Sequence, residues 1–235
     1  PPQVRDRLAV PLAAGSLPLA SWVAEPRLPG SPLPLPIAPA LLADTVNFLA
    51  ELFTAVSHDA PRSSLADAAD VVAAAVPAPQ AAAVGALADR LEERLSGLPR
   101  GFAHGDFWAT NLLVDSGRLT GVVDWSGAGG GRLPLADLLH LVTSEQVSRT
   151  ERPLGEVVTG WLLPAAQRGA LPGVSALCGS LGLALEGAVV RDLAIAYWLE
   201  HVAFHLSSYA DRAMRPGWLG PNVVEVISSI VDTGL

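Results

Sequence analysis

The chain contains no lysine: all fifteen of its basic residues are arginine. A lysine grip on a nucleotide phosphate is therefore excluded from within these 235 residues. A glycine-rich phosphate loop is missing from the front as well, where Gly15 and Gly30 stand isolated. The single cysteine, Cys178, excludes an intrachain disulfide and offers no zinc pattern, so a reducing cytoplasm is the expected setting and Cys178 reads as buried filler. Long apolar runs are lacking too. The uncharged stretch 169–185 falls short of the ~20 residues of a membrane span and contains Pro172 and several glycines. The uncharged stretch 8–24, behind Arg5 and Arg7, is cut by Pro11 and Pro18, which argues against a secretory signal. Positive patches are scarce: a net charge of −8 with scattered acids argues against a nucleic-acid surface and is compatible with a cationic small substrate.

What is present is apolar surface. Half of the residues are hydrophobic, enough for a real core in one domain or one large lobe with an attachment. Prolines at 1, 2, 11, 18, 26 and 29 exclude helix from the first thirty residues and favour two strands there. Beyond the proline-rich connector 31–39, helical spacing predicts a helix over 41–57. Its polar stripe is Asp44, Asn47, Glu51 and Thr54, and its apolar stripe is Leu42, Val46, Leu49, Phe53 and Val56. His58 and Asp59 then read as a C-terminal cation and a loop acid. Ser64 is placed to cap a helix over 65–76, and 80–95 is Ala-rich and helical. After Asp124, Gly129-Gly130-Gly131 predicts a flexible loop. Further helices are expected over 156–163, ended by Pro164, and over 174–187, 191–208 and 223–231. His140 reads as a hydrogen-bonded core or interface histidine. His201 and His205 share a face at i, i+4, but no third ligand accompanies them, so they are expected to neighbour an acceptor pocket or simply to pack.

The chemistry concentrates between Phe102 and Leu139. Residues 112–114 and 119–123 are apolar or β-branched, and Asp115-Ser116-Gly117-Arg118 between them is turn chemistry, which predicts a short antiparallel hairpin. Asp106 and Asn111 precede its first strand and Asp124 closes its second. Two carboxylates and an amide thus meet at one end of a ribbon. Phosphoryl transfer asks for such a set: hard oxygen ligands for Mg²⁺ on the phosphates and a carboxylate that orients the attacking hydroxyl.

His104-Gly105-Asp106, with Asn111 five residues later and Val123-Asp124-Trp125 after it, resembles the catalytic segment of the aminoglycoside phosphotransferase and choline kinase group, relatives of protein kinases. The resemblance implies that Asp106 is the catalytic base, that Asn111 and Asp124 hold Mg²⁺, and that His104 braces the loop beside Trp125. Pro134-Leu135-Ala136-Asp137-Leu138 resembles the family's Pro-x-x-Asp-Leu, in which the Asp supports the catalytic loop from a helix start. Residues 19–30 resemble the last small-lobe strand and the interlobe hinge, which implies nucleotide contacts near Glu25, Arg27 and Leu28, although Pro26 has no N–H to give. Trp108-Ala109-Thr110 stands where the family commonly has His-Pro-Gly.

The fold expected is α+β and protein kinase-like: a mostly helical C-terminal lobe over 31–235 with a short catalytic β-hairpin, preceded over 1–30 by a remnant of the N-terminal β lobe and the hinge. The function implied is transfer of the γ-phosphate of ATP or GTP to a hydroxyl of a sugar, aminoglycoside or amino alcohol. With the lysine absent, the alternative is a catalytically silent binding module, or a fragment whose nucleotide clamp comes from a further N-terminal lobe or a partner chain.

Overall fold

The computed structural model describes residues 2–18, 20–55 and 63–233. At the front, α1 (Pro2–Arg5) is one helical turn, which the prolines were expected to exclude. A proline in a first turn forfeits no hydrogen bond, because that N–H has no intrahelical partner anyway. An antiparallel hairpin follows, β1 (Ala13–Leu17) on β2 (Ala20–Ala24), and its side chains are almost all exposed. Next come β3 (Ser31–Pro32), α2 (Pro39–Thr54), α3 (Leu65–Ala73) and α4 (Ala78–Leu95). His58 and Asp59 lie outside the described residues. Ser64 caps α3 by accepting from the Asp67 N–H at 3.2 Å.

The buried face of α2 is Leu41, Thr45, Val46, Phe48, Leu49 and Leu52. It is rotated from the expected stripe, and Leu42 and Phe53 are only half-buried. The reason is Asp44, expected on the solvent side. Its carboxylate accepts from Arg7 at 2.9 Å and from the Leu119 N–H at 2.8 Å, which turns that side of the helix toward the central hairpin. Arg7 also accepts on its carbonyl from the Val122 N–H at 2.9 Å, so the front segment is tied to the same hairpin.

Then follow β4 (Gly101–Ala103), β5 (Leu112–Asp115), β6 (Arg118–Val122) and β7 (Gly129–Arg132). The expected ribbon is β5 on β6, with Leu112 opposite Val122 and Asp115 opposite Arg118, and β3 extends it on the β5 side. The triple glycine is not a loop. It forms β7, antiparallel to β4, with Gly101 opposite Arg132. Glycine carries no hydrophobic pattern, so only the backbone pairing reveals this strand; on its partner β4, a Cβ on Gly101 would meet the Phe53 carbonyl oxygen at 2.3 Å.

The remainder is helical: α5 (Ala136–Thr150), α6 (Leu154–Val157), α7 (Leu163–Gln167), α8 (Val174–Ser180), α9 (Gly187–Ser208), α10 (Ala210–Ala213), α11 (Pro216–Leu219) and α12 (Glu225–Asp232). Pro164 does not stop its helix. A π turn over Val158–Leu162, in which the Leu163 N–H reaches back to the Val158 carbonyl, joins α6 to α7 and carries the helix across Pro164. Pro221 sits likewise in the π turn Gly220–Val224. α8 is shorter than expected because Gly182, at φ +67°, ends it while the Leu183 N–H caps the Cys178 carbonyl at 2.8 Å. Burial pushes the Cys178 thiol up from its ordinary value.

Helix α9 is the axis of the core. Residues Leu193 to Leu199 are buried without interruption, so it is covered on every side, packing against α3, α4, α5 and α7. Its Trp198 donates from Nε1 to the carbonyl of Asn222 at 3.0 Å. The buried Asn222 side chain then accepts from the Gly155 N–H at 3.0 Å and donates to the Trp218 carbonyl at 2.8 Å, fastening the C-terminal helices to α6. The architecture is α+β and mostly helical, as expected. No helix of the described residues is long and apolar enough to cross a membrane.

Candidate active site

The segment between β4 and β5 is held from below by one buried carboxylate. Asp137, in the first turn of α5, accepts from the backbone N–H of His104 at 2.7 Å and of Gly105 at 2.9 Å. Burial pushes its carboxyl up, while the two N–H donors, His104 and Arg132 pull the other way. His104 is fully buried. Its Nε2 lies 2.9 Å from the Val123 carbonyl, which can only accept, and its Nδ1 receives the Asp106 N–H at 3.3 Å. That pairing makes Nε2 the donor and Nδ1 the acceptor. Trp125 packs edge-on to the same ring at a 4.6 Å centroid distance and donates from Nε1 to the Val122 carbonyl at 2.9 Å. His104 thereby ties the Asp106 loop to the strand that leads into Asp124.

Asp106 and Asn111 are in direct contact. The Asn111 amide nitrogen donates to the Asp106 carbonyl at 2.9 Å and to its Oδ2 at 3.1 Å. On the backbone, Asn111 accepts from the Val123 N–H at 2.9 Å, so Asn111 and Asp124 stand at the same end of the ribbon. Asp124 is exposed and left-handed, at φ 60° and ψ 66°, a conformation that Asp tolerates better than most residues, and its Oδ1 accepts from Ser126 Oγ at 2.8 Å. One contact sets the spacing of the two carboxylate loops: Gly105, at φ +82°, lies so close to Gly127 that a Cβ on it would meet the Gly127 carbonyl oxygen at 2.2 Å.

This donor set fits a small hard cation. The Asn111 nitrogen is committed to Asp106, which leaves its oxygen for another partner, and Asp124 adds a carboxylate. Magnesium commonly takes one or two protein oxygens and completes its shell with phosphates and water. Among the described residues, no group of three or more His, Cys, Asp or Glu is placed to hold a metal, so His201 and His205 form no zinc site of that kind.

On the other side of Asp106 lies a cavity of about 490 Å³, walled by α5, α9 and the C-terminal turns. His140 stands at its head with Nε2 3.9 Å from Asp106 Oδ1, too long for a hydrogen bond. Burial, with His104 and His205 adding to it, lowers the His140 pKa to about 3, so this imidazole is neutral at pH 7 and the contact is not an ion pair. Burial likewise holds His201 well below its ordinary value and pushes the Tyr197 hydroxyl up. His140, His201 and His205 run along the wall with ring centroids 4.8 and 4.6 Å apart. A smaller cavity of about 90 Å³ on the Gly105 and Gly127 side contains Arg132, whose Nη1 is 3.7 Å from Glu200.

The structure therefore gathers Asp106, His104, Asn111, Asp124, Trp125 and Asp137. Of the hinge residues, Leu28 reaches this ribbon, since a Cβ on Gly121 would meet its Cδ1 at 2.7 Å, and the next residue's carbonyl accepts from Thr120 at 2.7 Å. Glu25 and Arg27 are exposed, and no hydrogen bond or ion pair among the described residues ties them to Asp106, Asn111 or Asp124. Sequence reasoning missed the place of His140 at the cavity head and of Arg132 in the smaller cavity that Asp106 also lines. The one available signal for His140 was its position three residues after Asp137, one turn along the same helix.

Residues 7–172 match the model of a phosphotransferase enzyme family. No curated protein matches the sequence. Among solved structures the fold is similar to amicoumacin kinase hAmiN in complex with AMP-PNP, Ca²⁺ and Ami: TM-score 0.65, 12% identity, 99% of this chain and 74% of that one. It is also similar to a thermostable mutant of the aminoglycoside phosphotransferase APH(4)-Ia in ternary complex with ADP and hygromycin B: TM-score 0.58, 19% identity, 95% and 78%. A third is the aminoglycoside phosphotransferase APH(3'')-Id from Streptomyces rimosus in complex with ADP and streptomycin: TM-score 0.55, 15% identity, 85% and 78%. At these identities the likeness establishes a kinase-like fold.

Proposed function

We propose, since the chain belongs to the phosphotransferase enzyme family, that it transfers the γ-phosphate of ATP or GTP to a hydroxyl of a small molecule. The observation that carries this reading is the station of Asp106. Its Oδ2 meets Asn111 at the end of the ribbon, and its Oδ1 faces the head of the cavity. A carboxylate so placed can orient an acceptor hydroxyl arriving from the cavity toward a phosphate held at the ribbon. In the transfer the acceptor oxygen bonds to the γ-phosphorus. The bridging P–O bond breaks with its electron pair leaving on the nucleoside diphosphate, and the acceptor's proton passes to Asp106.

Asn111 and Asp124 would hold Mg²⁺, which draws negative charge from the phosphate oxygens when bound. The relatives' complexes with ADP, and with AMP-PNP and Ca²⁺, support nucleotide and divalent-metal binding here. His104, Trp125 and Asp137 position the loop. Residues 1–30 would supply the hinge, with Leu28 as the apolar contact under the nucleotide and with Glu25 and Arg27 flanking it. Asp106→Asn tests the assignment. It should abolish transfer while leaving nucleotide affinity within about threefold, and turnover retained at the wild-type rate would exclude Asp106 as the base.

A further inference from the structure

Three aromatic side chains at the rim of the large cavity are solvent-exposed: Trp108 at 39%, Phe204 at 47% and Tyr209 at 54%. Inside them stand Tyr197 and Trp218, and the His205 ring lies tilted between Tyr209 and Trp218, 5.6 Å from both by ring centroids. A concave surface so rich in exposed rings is costly to leave in water and marks a site that takes a ligand face. Its charge is as telling. Asp106 is the one formally charged side chain among the described residues lining this cavity. Its carboxylate is already engaged by Asn111, and by the reading above it must receive the acceptor hydroxyl. Two further acids, Asp137 and Glu200, border the smaller cavity instead, Asp137 bound to the His104 and Gly105 N–H groups and Glu200 facing Arg132. A molecule with several ammonium groups would have to shed their hydration here with no second carboxylate among the described lining residues to meet them.

Resting on the phosphotransferase reading, we propose that this cavity takes an uncharged, hydroxyl-bearing acceptor presenting a flat apolar or aromatic face, and not a polycationic aminosugar. A net charge of −8 is compatible with a cationic substrate, but it sums the whole chain, and among the described lining residues this cavity holds Asp106 alone of the acids. Rings recognise a flat apolar face by stacking and edge-to-face contact, and the serines on α5, Ser144 and Ser148, offer neutral hydrogen-bonding partners for hydroxyls. At about 490 Å³ the space suits a drug-sized molecule.

The test is calorimetric titration of the full chain with three probes: 2-naphthyl β-D-glucoside, methyl β-D-glucoside and streptomycin. The aryl glucoside should bind at least tenfold tighter than either of the others. Phe204→Ala and Tyr209→Ala, at exposed positions where folding is not at stake, should each weaken the aryl glucoside about threefold to tenfold, the worth of one aromatic contact, and leave methyl glucoside unchanged. Streptomycin binding as tightly as the aryl glucoside, an aryl glucoside no tighter than its methyl counterpart, or no aryl binding at millimolar concentration would each overturn the inference. A parallel assay with ATP and Mg²⁺ separates the two layers. Tight aryl binding without phosphoryl transfer to the glucoside would overturn its role as acceptor through the catalytic reading, and transfer to streptomycin alone would overturn the specificity while leaving that reading intact.

Discussion

Gly105→Ala separates backbone strain from the contact that spaces the two carboxylate loops. Gly105 sits at φ +82°, and a Cβ there would meet the Gly127 carbonyl oxygen at 2.2 Å. A left-handed alanine costs about 1–2 kcal/mol for the backbone alone. The contact adds to this, because relieving it to ordinary carbon–oxygen separation requires the Asp106 and Asp124 loops to part by roughly 1 Å, and a displacement of that size at a reacting centre lowers turnover by about 100-fold. Gly117→Ala is the internal control. Its φ is +76°, and nothing lies within 4 Å of the added Cβ, so it carries the backbone cost without the clash. Denaturant unfolding and steady-state turnover with ATP, Mg²⁺ and an accepted alcohol should both be read. Gly117→Ala should lose about 1–2 kcal/mol of stability and keep its turnover within about threefold. Gly105→Ala should lose at least as much stability and about 100-fold in turnover. Equal turnover in the two variants would refute the claim that the Gly105–Gly127 approach sets the geometry of the site.

Replacing Asp137 with Asn keeps the shape but removes the charge and one acceptor from the His104 and Gly105 N–H groups. A loss of about 2–3 kcal/mol is expected in denaturant unfolding, with His104 proton resonances shifted as its loop loosens. Asn222→Ala orphans the buried Gly155 N–H and the Trp218 carbonyl, and should lower stability by about 2–3 kcal/mol without altering nucleotide affinity. The pH dependence follows from His140. Its pKa, about 3 in the fold against 6.5 unfolded, lets the unfolded chain bind the extra proton, so stability is complete above pH 6.5 and falls as pH drops below it. By pH 4.5 that one residue should account for about 2–3 kcal/mol, and His140→Gln should be correspondingly less acid-sensitive than the wild type.

Much of the site was legible because it is built from short, local patterns. The turn residues Asp115 to Arg118 between two apolar runs announce the β5–β6 ribbon, and the spacing of Asp106, Asn111 and Asp124 around it places them at one end. What stayed hidden depends on tertiary partners. The triple glycine has no side chains to carry a period, so its pairing with β4 could not be seen. Asp44 looked like a solvent-facing acid because nothing local reveals Arg7 and the Leu119 N–H, which come from distant parts of the chain. Pro164 looked like a stop because the sequence does not announce the π turn that carries the helix across it; α6 meanwhile packs so closely on the C-terminal segment that a Cβ on Gly155 would meet the Pro221 carbonyl at 1.9 Å. The cavity is assembled from α5, α9 and the C-terminal turns, so its aromatic wall belongs to no single motif.

The central claim is that the ribbon end carrying Asn111 and Asp124 binds a nucleotide through a metal although the chain has no lysine. Calorimetric titration with ATP and with GTP, each with and without Mg²⁺, beside the Asp124→Ala variant, tests it most directly. The account predicts Mg²⁺-dependent binding of at least one nucleotide, weakened by tenfold or more in the variant. Absence of nucleotide binding by the intact chain, or metal-dependent binding that Asp124→Ala leaves unchanged, would contradict it.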